Sequence, residues 1–147
     1  MTPDPDDLQR RPEGVDDDTV EALGKLSAAL DHVEEARGLL YAFHRRMGSG
    51  EKTLEEATTM LRDAGHDRLA DALDEQVLGA NPLPGMWSFQ MVEAFDDGFY
   101  ATVTDLEQQA REELVGGRRH VFEAEMKALR RTPGERGHEA APGPPRV

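Results

Sequence analysis

The chain has no cysteine and little positive charge, and no stretch of it is long and apolar. Without cysteine it forms no disulfide and offers no thiolate to a metal ion. Only 17 Lys and Arg oppose 30 Asp and Glu, giving a net charge of −13. This balance argues against nucleic acid and anionic lipid as partners and favours metal ions or basic protein segments.

Neither an export signal nor a membrane span is visible in the sequence. The first 18 residues are acidic and contain no apolar run, so they do not resemble a signal peptide. No window approaches the roughly 18 apolar residues that cross a bilayer. We therefore expect a soluble cytoplasmic protein that has no membrane partner.

The length of 147 residues fits one compact domain with irregular ends. Residues 1–18 are acidic and poor in apolar side chains, which predicts a disordered N-terminus. Residues 132–147 are rich in proline and glycine, which predicts a disordered tail. The domain between them, residues 19–131, carries apolar residues at spacings of three and four and no strand pattern.

Cap and breaker residues divide residues 19–131 into five helices. The first begins near Asp16 and ends at the G-S-G sequence of residues 48–50, and the T-x-x-E box from Thr53 opens the second. Gly65 separates the second helix from the third, and Ser88 caps a long fourth helix that ends at residues 116–117. The fifth spans residues 118–131.

Because the turns are short, we predict an all-α, antiparallel helical bundle. It comprises two long helices, a short helical hairpin made by the second and third helices, and a basic C-terminal helix.

Polar residues interrupt the apolar stripes of the two long helices. An antiparallel register in which paired residue numbers sum to about 134 places Arg37 beside Asp96 and Tyr100. One interpretation is an ion pair that fixes the helix register. The other is a pocket for a small ligand between helices. The candidate pocket residues are Arg37, Tyr41, His44, Glu93, Asp96 and Tyr100.

Histidine and carboxylate residues three apart suggest a metal-binding alternative, because such pairs share one helix face. The candidate ligands are His32, Glu35, Glu93, Asp96, His120 and Glu123. Both pairs run His-x-x-Glu, whereas di-iron bundles use Glu-x-x-His, so a solvated charged face is the competing interpretation. No cofactor is expected, although a divalent metal remains an alternative.

Two segments are candidates for partner binding. Met86, Trp87 and Phe89 form either an apolar plug that closes the bundle or an exposed aromatic anchor. The basic last helix either folds back onto its own acidic bundle or docks on a second subunit. Its candidate residues are Arg118, Arg119, Lys127, Arg130 and Arg131.

No catalytic motif accompanies these features. The serines lack a G-x-S-x-G context, and no phosphate-binding glycine loop is present. We therefore expect a non-enzymatic interaction or regulatory protein whose partner is another protein or a second copy in a homodimer. The alternatives are a ferritin-like metal-binding bundle and a small-ligand pocket.

Two segments of the second half resemble a known group of sequences. They are residues 85–93, G-M-W-S-F-Q-M-V-E, and residues 117–127, G-R-R-H-V-F-E-A-E-M-K. They resemble an uncharacterised family of small, acidic, all-helical microbial proteins with no assigned activity. The resemblance implies an intact helical domain and transfers no catalytic residue.

Overall fold

The structure, a computed structural model, describes residues 8–140, and the outermost parts of the two predicted disordered ends lie outside that range. The described residues form helices and turns without a β-strand, which confirms the all-α class. In chain order the elements are α1 (Asp17–Asp63), α2 (Asp67–Gln76), α3 (Ser88–Phe95), a π-helical turn (Asp96–Tyr100), α4 (Ala101–Val115) and α5 (Val121–Arg130).

The start of α1 follows the predicted cap. The carboxylate of Asp16 accepts a hydrogen bond from the backbone N–H of Thr19 at 2.8 Å. Asp17 and Asp18 occupy the first turn, where negative charge interacts favourably with the helix dipole. Cap and charge together fix where the helix begins.

The predicted end of the first helix at residues 48–50 is wrong, because α1 continues through this segment to Asp63. The hydroxyl of Ser49 donates to the carbonyl of Arg45, and that of Thr53 donates to the carbonyl of Ser49. Both groups bond four residues back along the same helix, so Thr53 does not open a new one. A glycine costs about 1 kcal/mol in a helix, which a sequence of good helix formers on both sides can absorb.

The true end of α1 is a Schellman turn centred on Gly65. The N–H of Gly65 donates to the carbonyl of Arg62, and the N–H of His66 donates to that of Leu61. Gly65 has φ +84°, a left-handed conformation that favours glycine. The predicted hairpin of two short helices is therefore replaced by a turn between the end of the 47-residue α1 and α2.

The described residues divide into two compact units. The central unit is Val33–Ala101, and the terminal unit combines the described residues up to His32 with those from Thr102 onward. In the terminal unit, three fully buried valines form the core, and Val15, Leu23 and Phe122 pack against it. The buried valines are Val20, Val115 and Val121.

The central unit buries few apolar side chains completely. Its buried apolar residues are Ala70 and Val92. Many larger apolar residues of the same unit stay exposed, including Trp87 and Phe99. Aromatic and aliphatic side chains of this unit therefore remain accessible to a partner, among many exposed charged residues.

A π-helical turn changes the predicted stripe of the fourth helix. The predicted helix is straight, with Phe89, Phe99 and Leu106 facing inward, but all three are exposed. Bonding to the fifth residue inserts one extra position into the turn and rotates the residues after it. After the turn Tyr100 is half-buried and Glu107 is buried. The predicted stripe is confirmed at the buried Val92 and the half-buried Phe95, Val103 and Ala110.

The start of this helix also differs from the prediction, because Ser88 is its first helical residue and not its cap. The backbone N–H of Trp87 donates to the side-chain oxygen of Gln90 at 2.9 Å. This bond leaves the hydroxyl of Ser88 free for a different contact, described below.

The last helix begins at Val121 rather than at residue 118. His120, just before it, has φ +58°, and this left-handed residue redirects the chain. Val121 is buried in the terminal core, and the ring of Phe122 lies directly over Gly24 of α1. Within the terminal unit, the apolar side of the helix therefore packs on its own chain, as the fold-back alternative predicted.

No helix of residues 8–140 combines the length and apolar character needed to cross a membrane.

Candidate functional site

Arg37 and Asp96 meet in the central unit, as the predicted register requires. The guanidinium donates from Nε to Oδ1 at 2.8 Å and from Nη2 to Oδ2 at 3.0 Å. About a quarter to a third of each side chain remains exposed, at 31% and 25%. The pair is a two-bond fork of the kind that fixes geometry as well as charge.

Two tyrosine rings complete this cluster. The guanidinium carbon of Arg37 lies 5.0 Å from the ring centre of Tyr41 and 4.8 Å from that of Tyr100. The Tyr100 hydroxyl donates a hydrogen bond to the carboxylate of Glu34. Arg37 is therefore held by a carboxylate at its polar edge and by aromatic rings near its charged carbon.

The charges in this cluster shift two pKa values in opposite directions. The hydrogen bonds from Arg37 lower the pKa of Asp96 below its ordinary value. The hydrogen bond to Glu34 raises the pKa of Tyr100, because the proton of Tyr100 is shared with a carboxylate. Both shifts favour the charge states in which the bonds described here exist.

The remaining predicted pocket residues lie apart from this cluster. His44 lies about two helical turns after Arg37 on α1. Its Nδ1 atom is 2.8 Å from the hydroxyl of Ser88. Glu93 is exposed. From Glu34 to Arg37 to His44 the residue numbers rise, while those of their partners, Tyr100, Asp96 and Ser88, fall.

The cluster favours the interpretation of Arg37 and Asp96 as a register-fixing pair. Both oxygens of the Asp96 carboxylate accept bonds from Arg37, and two aromatic rings lie near the cation. A polar group whose bonds are already made has little to offer a ligand. Arg37, Asp96 and Tyr100 of the predicted ligand pocket are thus bonded to other side chains of the chain, while His44 lines a cavity described below.

No three histidine, aspartate or glutamate side chains within residues 8–140 come together as a metal site would require. Asp96 is bonded to Arg37, and His120 is the left-handed residue that precedes α5. His32, Glu35 and Glu123 are exposed residues of their helices. The predicted ligands therefore do not assemble into a three-ligand site in this part of the chain.

A concave, mainly apolar surface of the central unit lies next to Trp87, and we call it the corner groove. Its cavity volume is about 430 Å³. Polar groups of His44, Arg46, Glu51, Asn81 and Ser88 share the lining with apolar side chains. The apolar lining residues are Met47, Leu54, Val77, Pro82, Trp87 and Phe89.

Trp87 stands at the edge of the corner groove with 56% of its surface exposed. Its ring meets the ring of Phe89 edge to face, with centres 5.2 Å apart. Phe89 is exposed as well, while the neighbouring Met86 is half-buried. The interpretation of these residues as a buried plug is wrong, and the exposed arrangement is the one expected of an aromatic anchor.

Local turns hold this corner in place. The N–H of Met86 donates to the carbonyl of Leu83 in a tight turn, and Gly85 adopts φ +71°. The carboxylate of Glu51 on α1 accepts a bond from the N–H of Gly79 at 3.0 Å. The loop between α2 and α3 is thereby tied to the C-terminal third of α1.

The basic residues of the C-terminal region differ in how exposed they are to solvent. Arg119, Lys127 and Arg130 are exposed, while Arg118 and Arg131 are half-buried. Leu129, among them, is 85% exposed. An apolar side chain surrounded by cations thus faces solvent on the last helix.

Sequence analysis did not single out two features of the structure. Leu54, Val77 and Asn81 reach the corner groove because α1 continues past Gly50, which the sequence pattern did not predict. In the terminal unit, the buried Glu107 accepts two bonds from Arg111 one turn later. An i, i+4 spacing of opposite charges was the available signal for this pair.

No protein-family model, curated protein or solved structure matches the chain. The resemblance to an uncharacterised microbial family stays a prediction.

Proposed function

We propose that this chain is a non-enzymatic interaction protein that binds an apolar segment of another protein in the corner groove. The observation that carries the proposal is the exposed Trp87, which stands with Phe89 beside an apolar groove. Tryptophan, phenylalanine and methionine are enriched where protein interfaces are most buried.

The energetics of burial support this function. Apolar surface removed from water contributes about 25 cal/mol per Å², so covering one aromatic side chain contributes a few kcal/mol before the costs of association. The central unit retains many such side chains and fully buries only the small apolar residues Ala70 and Val92. A partner that covers the groove therefore adds the apolar contacts that the unit lacks.

The groove also carries the polar groups that a protein segment requires. His44, Glu51, Asn81 and Ser88 line its walls. Because His44 is bonded to Ser88 and Glu51 to Gly79, the Asn81 amide and the lone pairs that these bonds leave open supply donors and acceptors for a backbone. An apolar surface with a few polar groups selects orientation as well as hydrophobicity. We propose an antiparallel helical arrangement within the central unit as the scaffold that holds these walls.

The basic last helix is a second contact surface in this proposal. Lys127 and Arg130 flank the exposed Leu129, a combination that suits an apolar residue within an acidic segment. Charged rims mainly govern association rate and specificity, so this surface steers an acidic partner.

Site-specific photo-crosslinking tests the function without knowing the partner. A photoreactive phenylalanine analogue replaces Trp87 in one variant and Leu106 in a control variant, since both side chains are exposed. After irradiation in extract of the producing cells, we expect a discrete adduct with another polypeptide at position 87 and none at position 106. Equal adduct patterns at the two positions, or none at 87, would contradict the proposal.

A further inference from the structure

A second apolar surface lies on α1 in the central unit, separate from the corner groove. Leu39 is 67% exposed, and Phe43, one turn later, is exposed as well. At about 100° per residue, Ala36, Leu39 and Phe43 lie within about 60° of one another around the helix. We call these three residues the α1 stripe.

The α1 stripe does not face the contacts that α1 makes with the segment from Ser88 to Tyr100. Arg37 and His44 make those contacts, and they lie about 80–160° around the helix from the residues of the stripe. Apolar residues on a separate helix face either stay in contact with water or are covered by a partner.

Charge around the α1 stripe indicates which partner fits. Glu35 precedes the stripe and Arg46 follows it, and both are exposed on the same edge of the helix, about 20° apart. Neither residue forms an ion pair within residues 8–140. The stripe thus has an acidic end and a basic end.

These features are self-complementary under a two-fold axis. The midpoint between Leu39 and Phe43 and the midpoint between Glu35 and Arg46 differ by half a residue, or about 0.75 Å along the helix. Antiparallel pairing therefore places Leu39 of one copy against Phe43 of the other and brings Glu35 beside Arg46 at both ends. A two-fold interface requires such matching of a surface with itself.

We infer that the chain forms a homodimer in which the α1 stripes of two copies pack antiparallel, with Glu35 of each copy paired to Arg46 of the other. A parallel arrangement would bring Glu35 near Glu35 and gain no ion pair. The inference goes beyond the proposed function, because its apolar residues lie outside the corner groove and its occupant is a second copy; of its residues, Arg46 also lines the groove.

Sedimentation equilibrium of the purified full-length chain tests the surface. We expect the wild type at high micromolar concentration to have twice the 16.3 kDa chain mass. Leu39→Glu should shift the population to monomer, while the control Leu106→Glu, which alters an exposed leucine in the terminal unit, should remain dimeric. A monomeric wild type overturns the inference, and so does a dimer that Leu39→Glu leaves intact or that Leu106→Glu also dissociates.

A charge-swap mixture tests the pairing independently of folding. Glu35→Arg and Arg46→Glu each place like charges at both ends of the interface and should weaken the dimer about tenfold. In an equimolar mixture the mixed dimer regains opposite charges at both ends, so native mass spectrometry should show it well above the twofold excess over either parent dimer that random pairing gives. A statistical distribution of the three dimers overturns the antiparallel pairing.

A failed Trp87 crosslink combined with a successful charge-swap rescue would reject the corner groove and retain the dimer. The reverse result would reject the dimer and retain the groove.

Discussion

Arg37 and Asp96, 59 residues apart in the chain, are joined by two hydrogen bonds between a guanidinium and a carboxylate. The pair holds α1 against the π-helical turn at one defined level. Tyr41 and Tyr100 lie beside the cation, so its position is fixed by rings as well as by charge. An ion pair of this kind contributes more to a unique register than to total stability.

The Arg37–Asp96 pair predicts an acid-dependent loss of stability. The pKa of Asp96 is lower in the folded chain than its ordinary unfolded value of about 4. Its stabilisation is therefore complete above that unfolded value and is lost as the pH falls through the lower folded pKa. Asp96→Asn should lower Tm at neutral pH and show a smaller further decrease in acid than the wild type.

Thermal unfolding measured between neutral pH and about pH 3 checks this expectation. Asp97→Asn is the matched control, because Asp97 is the exposed neighbour on the same π-helical turn. If Asp96→Asn and Asp97→Asn had the same dependence of Tm on pH, the pair would have no special role.

The contact between Gly24 and Phe122 predicts opposite effects of two glycine substitutions in α1. A Cβ atom on Gly24 would lie 2.7 Å from Cγ of Phe122, whereas one on Gly38 would meet open space. Gly24→Ala should destabilise the chain by about 1–3 kcal/mol through overpacking. Gly38→Ala should stabilise it by about 0.5–1 kcal/mol through helix propensity.

Urea denaturation of both variants gives the two free energies of unfolding. Equal stabilisation by the two alanines would show that α5 does not pack on Gly24.

The buried pair in α4 predicts a further difference. Glu107 is 7% exposed and receives both bonds from Arg111, so Glu107→Ala leaves a half-buried cation without its partner. We expect a loss of about 1–3 kcal/mol in the free energy of unfolding. Gln108→Ala removes an exposed bond to Glu112 in the same helix and should change it by less than about 0.5 kcal/mol. Similar losses for both variants would contradict the structural role of Glu107.

The exposure of Trp87 predicts the fluorescence of the purified protein, since the chain has a single tryptophan. Acrylamide should quench the tryptophan fluorescence of the folded protein almost as strongly as that of the urea-unfolded protein. The comparison is made at a protein concentration fixed across both samples. Strong protection in the folded state would restore the interpretation of Trp87 as a buried plug.

Several features could be predicted from the sequence because they depend only on residues close together in the chain. The Asp16 cap and the Gly65 turn depend on neighbouring residues alone. The pairing of Arg37 with Asp96 followed from an antiparallel register and from the charges interrupting each stripe.

Other features depend on competition between elements, which single-residue signals do not capture. Gly48 and Gly50 favour a break, yet the hydroxyls of Ser49 and Thr53 bond within the helix and α1 continues. The sequence pattern does not reveal the π-helical turn and places Phe99 on the inward face, whereas Phe99 is exposed and Tyr100 is half-buried. The corner groove could not be predicted from the sequence pattern, because its walls come from three separate segments of the chain.

Oxidative footprinting in living cells tests the central claim most directly, namely that a protein partner covers the corner groove. Hydroxyl radicals label exposed side chains, and the modification of Trp87 is compared between the producing cells and the purified chain, with the exposed Leu106 as the internal reference. The account predicts that Trp87 is protected in cells relative to Leu106. Equal labelling of Trp87 in cells and in the purified protein would contradict it.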